Sequence, residues 1–259
     1  TIDAQGRPVV ASGLVSVPVK AAGAKSPVLS YQHGTIEQDK EAPSNRAGVE
    51  EPAVVLASLG YIVVAADYVG YGASKGTPHP YLLSAPTAAA VIDLLTAANT
   101  WRSRNSAADN GQLFLIGYSE GGYATMAAHR ALQAAGGALL AGLVATAPGA
   151  GPYDAGVTLD ELLRRVREAD PVLGALFDPE RLKDASTAVR VLLRELLRKA
   201  LLPEEADVVF DLALLDSYLA DDRAAIERLG NVHDWSPAVP VRLFHGRDDQ
   251  TVPYVASTT

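Results

Sequence analysis

The sequence predicts an α/β fold: a mostly parallel sheet, helices on both faces and one helical insertion. Three observations predict it. Apolar runs of strand length recur along the chain, as "SPVLSYQ", "YIVVAA", "QLFLIG", "LLAGLVATAPG" and "VPVRLFHG". Helical patterns separate the first four. From about Tyr153 to Ala238 only helical periodicity is present, before the last apolar run begins at Val239. Strands that are apolar on both faces and alternate with helices need a sheet covered on both sides.

The elements follow in order. "DAQGRP", Asp3 to Pro8, is a turn signal, and "VVASGLVSVPV" after it alternates like an antiparallel strand. A hairpin turn needs a strand on each side, so a strand is expected to be missing before Thr1. "SPVLSYQHGT" is a buried strand running into a loop. "EEPAVVLASLG" is a short helix stopped at Gly60. "YIVVAADYVGYG" is the second buried strand, and "PTAAAVIDLLTAANTW" is a helix with Pro86 in its first turn. "QLFLIG" is the third strand, "EGGYATMAAHRALQAA" the helix after it, and "LLAGLVATAPG" the fourth strand. "TLDELLRRVREAD", "STAVRVLLRELLRKALL" and "EEADVVFDLALLDSYLA" are the helices of the insertion. "VPVRLFHG" returns to a buried strand, and "VPYVASTT" opens a further helix that should lead to one more strand. The expected layout is a core over residues 1–152, an insertion over 153–238 and the rest of the core over 239–259, with both termini truncated.

Composition narrows the function. The 259 residues are 48 % hydrophobic, enough for one large domain with a sizeable core. Lys and Arg total 22 against 30 Asp and Glu, a formal charge of −8 without long runs of one sign. Nucleic acid and anionic membrane surfaces are therefore not expected partners. The absence of cysteine removes disulfides, thiolate chemistry and cysteine metal sites. The longest apolar stretch, near Ala138 to Ala147, is too short to span a bilayer. No cofactor is implied.

One motif carries chemistry. Gly117, Ser119 and Gly121 form G-x-S-x-G between a predicted strand and a predicted helix. A serine on so sharp a turn is crowded, and side chains two positions away on either side would clash. The N–H of Glu120 then opens the helix, where it can face an oxyanion in the field of the helix N-terminus. A second oxyanion donor should follow an earlier strand, and "YQHGT" is so placed. Gly34 lets the backbone approach there, and the donor is the N–H of Thr35, or else of Gly34. The acid that would orient a histidine is Asp248 or Asp249 in "LFHGRDDQTVP", and spacing does not separate them.

On these residues the chain resembles an α/β hydrolase, and within that superfamily the secretory lipase, or lipase A-like, family. The matching pieces are "SYQHGTI", "EAPSN", "ADYVGYGAS", "IGYSEGG", "APGAGPYD" and "FHGRDDQTVP", spread over nearly the whole chain. The resemblance implies an α/β-hydrolase fold, with Ser119 as nucleophile and a helical cap at 153–238. The family pattern G-x-x-D-x-x-V-P, matched from Gly246 to Pro253, places the acid at Asp249. It implies hydrolysis of a small-molecule or lipid-like ester, and a secreted or periplasmic protein. Leu192, Leu193, Leu196 and Leu197 either pack on the core or line an acyl pocket.

The order Ser, Asp, His requires a histidine after the acid, and none follows Asp249. His33 lies in the oxyanion loop, His129 well along the helix after Ser119, and His245 in or beside the strand before the acid. His233 precedes that strand and is expected at the opposite edge of the sheet. His79, in "GTPHPY", is the one candidate for a substitute base. The expectation is that the catalytic histidine lies in a further segment or a second chain, and that this chain alone is nearly inactive. Four rival readings were weighed. "VGYGASKG" has spacing G-x-G-x-x-x-G, with Pro78 and Pro80 where a dinucleotide-binding helix must start. The pairs Asp248–Asp249 and Asp221–Asp222 lack a histidine cluster for a metal. The remaining alternatives are a non-catalytic binding protein on the same fold and a serine peptidase or amidase, since the same constellation serves esters and amides.

Overall fold

Side-chain alternation decides how the apolar runs are used. In the computed structural model, which describes residues 1–169, 186–201 and 205–258, five strands form one sheet. They are β1 (Gly13–Ser16), β2 (Ser26–Gln32), β3 (Ile62–Ala66), β4 (Asp109–Tyr118) and β5 (Leu143–Gly149). Their order is β1-β3-β2-β4-β5, with β1 antiparallel to β3 and the other pairs parallel. Three helices connect the parallel strands: α1 (Pro52–Ser58), α2 (Ser84–Arg104) and α3 (Glu120–Ala135). Val28, Val64 and Ala66 meet Ala90, Val91 and Leu95 of α2 and Ala124, Ala128 and Leu132 of α3. Their strand neighbours Leu29, Val63 and Ala65 meet Ala53 and Ala57 of α1 on the other face. Successive residues point to opposite faces, so each strand must be apolar throughout. The predicted α/β hydrolase architecture is present.

Three expectations need correction. The run "LLAGLVATAPG" is split: α4 (Gly137–Gly142) takes its first residues and β5 begins only at Leu143. The run at Val239 is not a buried strand. It joins the sheet through two parallel bridges, Thr146 to Val241 and Gly149 to Phe244, and Leu243 and Phe244 are about half exposed. It lies at the outer edge of the described sheet, and these side chains have no covering layer among the described residues. The helix expected over "EEADVVFDLALLDSYLA" is absent from 205–212. Phe210 instead pairs its backbone with His79, and the Asp211 carboxylate accepts from the Ala213 N–H at 2.9 Å, starting the helix later. The "DAQGRP" turn is closed by an Ile2–Pro8 bridge.

The segment after β5 is helical, with α5 (Ala155–Ala169), α6 (Thr187–Leu201), α7 (Ala213–Leu219) and α8 (Arg223–Gly230). Leu163, Leu193, Leu214 and Ile226 from these helices share one cluster with Leu82, Tyr123 and Met126. Leu193 is therefore core, whereas Leu192 and Leu196 are exposed and the side chain of Leu197 lies outside the described part. Among the described residues no helix is long and apolar enough to cross a membrane.

The carboxyl end of β3 is fastened by a buried carboxylate. Asp67 is fully buried and accepts from the Ser12 hydroxyl at 2.6 Å, the Ser44 N–H at 2.8 Å and the Ser44 hydroxyl at 2.5 Å. A Cβ on Gly72, whose φ is +54°, would sit 2.5 Å from that carboxylate. Asp67→Ala would leave buried donors unpaired. It is expected to lower the unfolding free energy by roughly 4 kcal/mol, measured by urea denaturation.

Candidate active site

Ser119 stands between β4 and α3 with φ 58° and ψ −124°, a conformation that L-residues avoid. The surroundings dictate it. The Ser119 N–H donates to the Gly149 carbonyl at 2.9 Å, and its own carbonyl accepts from the Tyr123 N–H at 3.1 Å. α3 then rises so close to the sheet that side chains have no room. A Cβ on Gly121 would lie 2.0 Å from the Gln32 carbonyl oxygen, and one on Gly117 would lie 2.2 Å from the Gly121 carbonyl oxygen. Gly122, which the motif does not include, has the same constraint, 2.4 Å from the Gly149 carbonyl oxygen.

The loop after β2 comes to the same place. A Cβ on Gly34 would stand 3.2 Å from the Tyr118 carbonyl oxygen and 3.6 Å from the Ser119 Cβ. His33 Nδ1 is 2.7 Å from the Gly34 carbonyl, to which it donates. Burial holds the His33 pKa down, so the ring is neutral. In a trans peptide the C=O and the next N–H point in opposite directions. Fixing the Gly34 carbonyl on His33 therefore aims the Thr35 N–H away from it. Tyr68 donates to the His33 carbonyl at 3.1 Å, and Tyr71 to the Ile36 carbonyl at 2.7 Å. The Tyr81 hydroxyl is 3.2 Å from Thr35 Oγ1. Burial first, and the Glu120 charge second, push the Tyr81 pKa up to about 12, so it stays a neutral phenol. Neither the Thr35 nor the Glu120 N–H donates to an acceptor among the described residues.

Asp249 follows the edge segment that pairs with β5, so it lies at the same carboxyl edge of the sheet as Ser119. Its Oδ1 accepts from the Thr251 N–H at 2.8 Å and the Val252 N–H at 2.9 Å. Asp248 is exposed, whereas the Asp249 side chain is mostly buried. On α5, Arg165 donates to the Gln250 carbonyl at 2.8 Å, tying that helix to the acid loop.

None of the five histidines hydrogen-bonds the Ser119 hydroxyl among the described residues. His33 is bound in its loop as described. His129 is buried with its ring edge-on to Trp235 at 5.0 Å. His233 is 3.6 Å from Asp154, just after β5, instead of at the opposite edge of the sheet, because residues 231–236 pass beside Tyr153, Ala155 and α3. His245 donates from Nε2 to the Val252 carbonyl at 3.0 Å, with the same nitrogen 3.5 Å from Asp249 Oδ2, and its Nδ1 is 2.6 Å from Ser257 Oγ. His79 is buried, with Nδ1 2.8 Å from the Val69 carbonyl and Nε2 2.7 Å from Glu120 Oε1. It is not the substitute loop base the sequence suggests. The spacing of "GTPHPY" and "GYSEGG" gives no sign of this pairing, nor of the His33 contact. Among the described residues no three His, Asp or Glu side chains converge as metal ligands.

A cavity of about 200 Å³ lies at the opposite end of the sheet, lined by Val28, Asn99, Arg102, Asp109 and Leu113. Open α/β sheets bind ligands beyond the carboxyl ends of their strands, so this cavity is not the substrate site. The glycine contacts give a direct test of the Ser119 turn. Gly121→Ala is expected to cost about 3 kcal/mol or more through overpacking. Gly136→Ala has no atom within 4 Å of its new Cβ and should cost about 2 kcal/mol, from backbone strain alone at φ 71° and ψ −153°. Thermal unfolding of the two variants measures the difference.

No curated protein sequence matches the chain. Solved structures do. A hydrolase of Legionella pneumophila, described as putative in its own structure report, superposes with a TM-score of 0.74 at 26 % identity, over 100 % of this chain and 75 % of that one. The rice cell wall degrading esterase LipA of Xanthomonas oryzae superposes with a TM-score of 0.71 at 27 % identity, over 100 % of this chain and 76 % of that one. Candida antarctica lipase A shares the fold, with a TM-score of 0.61 at 20 % identity, over 100 % of this chain and 66 % of that one. A family model described as "Serine aminopeptidase, S33" matches residues 46–259. The chain belongs to this serine hydrolase family of the α/β-hydrolase superfamily.

Proposed function

We propose that the protein cleaves carboxylic esters through an acyl-enzyme on Ser119. The observation that carries this reading is a strained serine at the head of α3 with two unclaimed N–H groups beside it. The Ser119 hydroxyl oxygen attacks the ester carbonyl carbon. The N–H groups of Thr35 and Glu120 receive the negative charge on the former carbonyl oxygen, assisted by the α3 N-terminus. Asp249 orients the histidine that takes the serine proton and returns it to the leaving alcohol. None of the five histidines hydrogen-bonds the Ser119 hydroxyl among the described residues, so the reading draws that base from a further segment or a second chain. Without it only a residual acceleration of about 10³–10⁴ over water is expected. The helices of residues 153–238 act as the cap, and exposed Leu192 and Leu196 favour an apolar acyl group. Secretion belongs to the same proposal, on family resemblance alone.

An aminopeptidase reading follows from the name of the family model. A peptide α-amino group needs a free carboxylate at the site. The carboxyl group next to Ser119, on Glu120, is buried and bonded to His79, which favours the ester. Intact mass before and after a fluorophosphonate probe tests the nucleophile. In the protein that carries the catalytic histidine, one adduct mapping to Ser119 and lost in Ser119→Ala is the expected result. An adduct that survives the substitution contradicts it. Turnover of p-nitrophenyl esters against aminoacyl-p-nitroanilides then separates the two readings.

A further inference from the structure

The residue after the nucleophile has two parts with different duties. Its N–H has no acceptor among the described residues and is the proposed oxyanion donor, while its side chain is buried. There Glu120 Oε1 is 2.7 Å from His79 Nε2, and both residues are almost wholly buried. Glu120 Oε2 has no hydrogen-bond partner. The contact on the other ring nitrogen fixes the chemistry. His79 Nδ1 faces the Val69 carbonyl at 2.8 Å. A carbonyl only accepts, so Nδ1 carries a proton. The Nε2 contact then holds one proton too, either as imidazolium with carboxylate or as imidazole with carboxylic acid. In either form it is a short, buried, direct link.

His79 is itself held from the other side. Its N–H donates to the Val209 carbonyl at 2.7 Å, and its carbonyl accepts from the Asp211 N–H at 2.7 Å. Tyr71 and Phe210 pack edge-on to the ring at 5.0 and 5.4 Å. Gly70 makes the seat: with φ +106°, its missing Cβ would lie 2.8 Å from the His79 Cβ. The chain Val209–Asp211, His79, Glu120 thus joins the helical segment to the head of α3. We propose that His79 is a positioning residue, which ties the proposed oxyanion N–H of Glu120 to the extended stretch Val209–Asp211 before α7. The proposal deepens the serine-hydrolase reading and rests on it for its catalytic consequence.

Three variants test it. Glu120→Gln keeps the link, because its carboxamide N–H can donate to Nε2 of a His79 whose Nδ1 is protonated. His79→Phe breaks it and fills the space. His79→Phe combined with Glu120→Leu removes both polar partners, and replacing a buried polar pair by apolar groups is often tolerated by the fold. The first readout is the ¹⁵N–¹H shift of the residue-120 amide, which needs no activity. It should move in both variants that lack His79 and stay near its original position in Glu120→Gln. The second is the rate of fluorophosphonate labelling of Ser119. It should fall about tenfold in the two His79 variants, less than the loss from deleting an oxyanion donor outright. The double variant should keep its thermal midpoint while losing rate. The proposal is overturned if the His79 variants leave the amide in place, or if Glu120→Gln moves it as far as His79→Phe. If the protein assembled with its catalytic histidine takes no label, the hydrolase reading fails, and the amide shift alone decides the link.

Discussion

The site depends on one close approach, that of α3 to the carboxyl ends of β2, β4 and β5. Helix and sheet meet backbone to backbone there, because Gly117, Gly121 and Gly122 put no Cβ between them. The chain must then reverse within one residue, and Ser119 takes φ 58° to do it. Strain of this kind costs of order 1–3 kcal/mol and persists only where the neighbours over-determine the turn. The bonds from Ser119 N–H to Gly149 and from Tyr123 N–H to Ser119 do so. The geometry leaves the serine side chain half-exposed at the edge where ligands reach parallel sheets, with the α3 N-terminus behind it.

A second set of contacts makes the opposing loop rigid. Residues 33–36 belong to no helix or strand, yet three side chains bind their carbonyls: His33 on Gly34, Tyr68 on His33 and Tyr71 on Ile36. Each carbonyl turned inward leaves the following N–H pointing the other way. The Thr35 N–H is left without an acceptor among the described residues, which is what the proposed oxyanion role requires. Asp67 anchors the next stretch of chain, so "YQHGT" and "DYVGYG" act as one assembly. Both belong to the six pieces on which the family resemblance rests.

How much of this was legible in the sequence follows from what each feature depends on. Strands apolar on both faces announce themselves, and β2, β3, β4 and α3 lie where the pattern puts them. G-x-S-x-G is legible because backbone proximity demands glycine at fixed spacing. Gly122 was missed because its constraint comes from β5, which is distant in sequence. The start of β5 and the extended stretch before α7 were misread because local propensity does not report tertiary pairing. Nothing in the residues near Phe210 signals His79. Most of all, the pairing of His79 with Glu120, in place of a substitute base on a loop, is a contact between residues 41 apart, with no local pattern to mark it.

The central claim is that Ser119, the Thr35 N–H and the Glu120 N–H enclose one anion-binding point. A crystal structure of the phosphonylated protein measures it most directly. The account predicts a phosphonyl oxygen within about 3 Å of both amide nitrogens, the distance of an oxyanion-hole hydrogen bond. An adduct on Ser119 whose oxygens point to solvent, with neither N–H engaged, would contradict it.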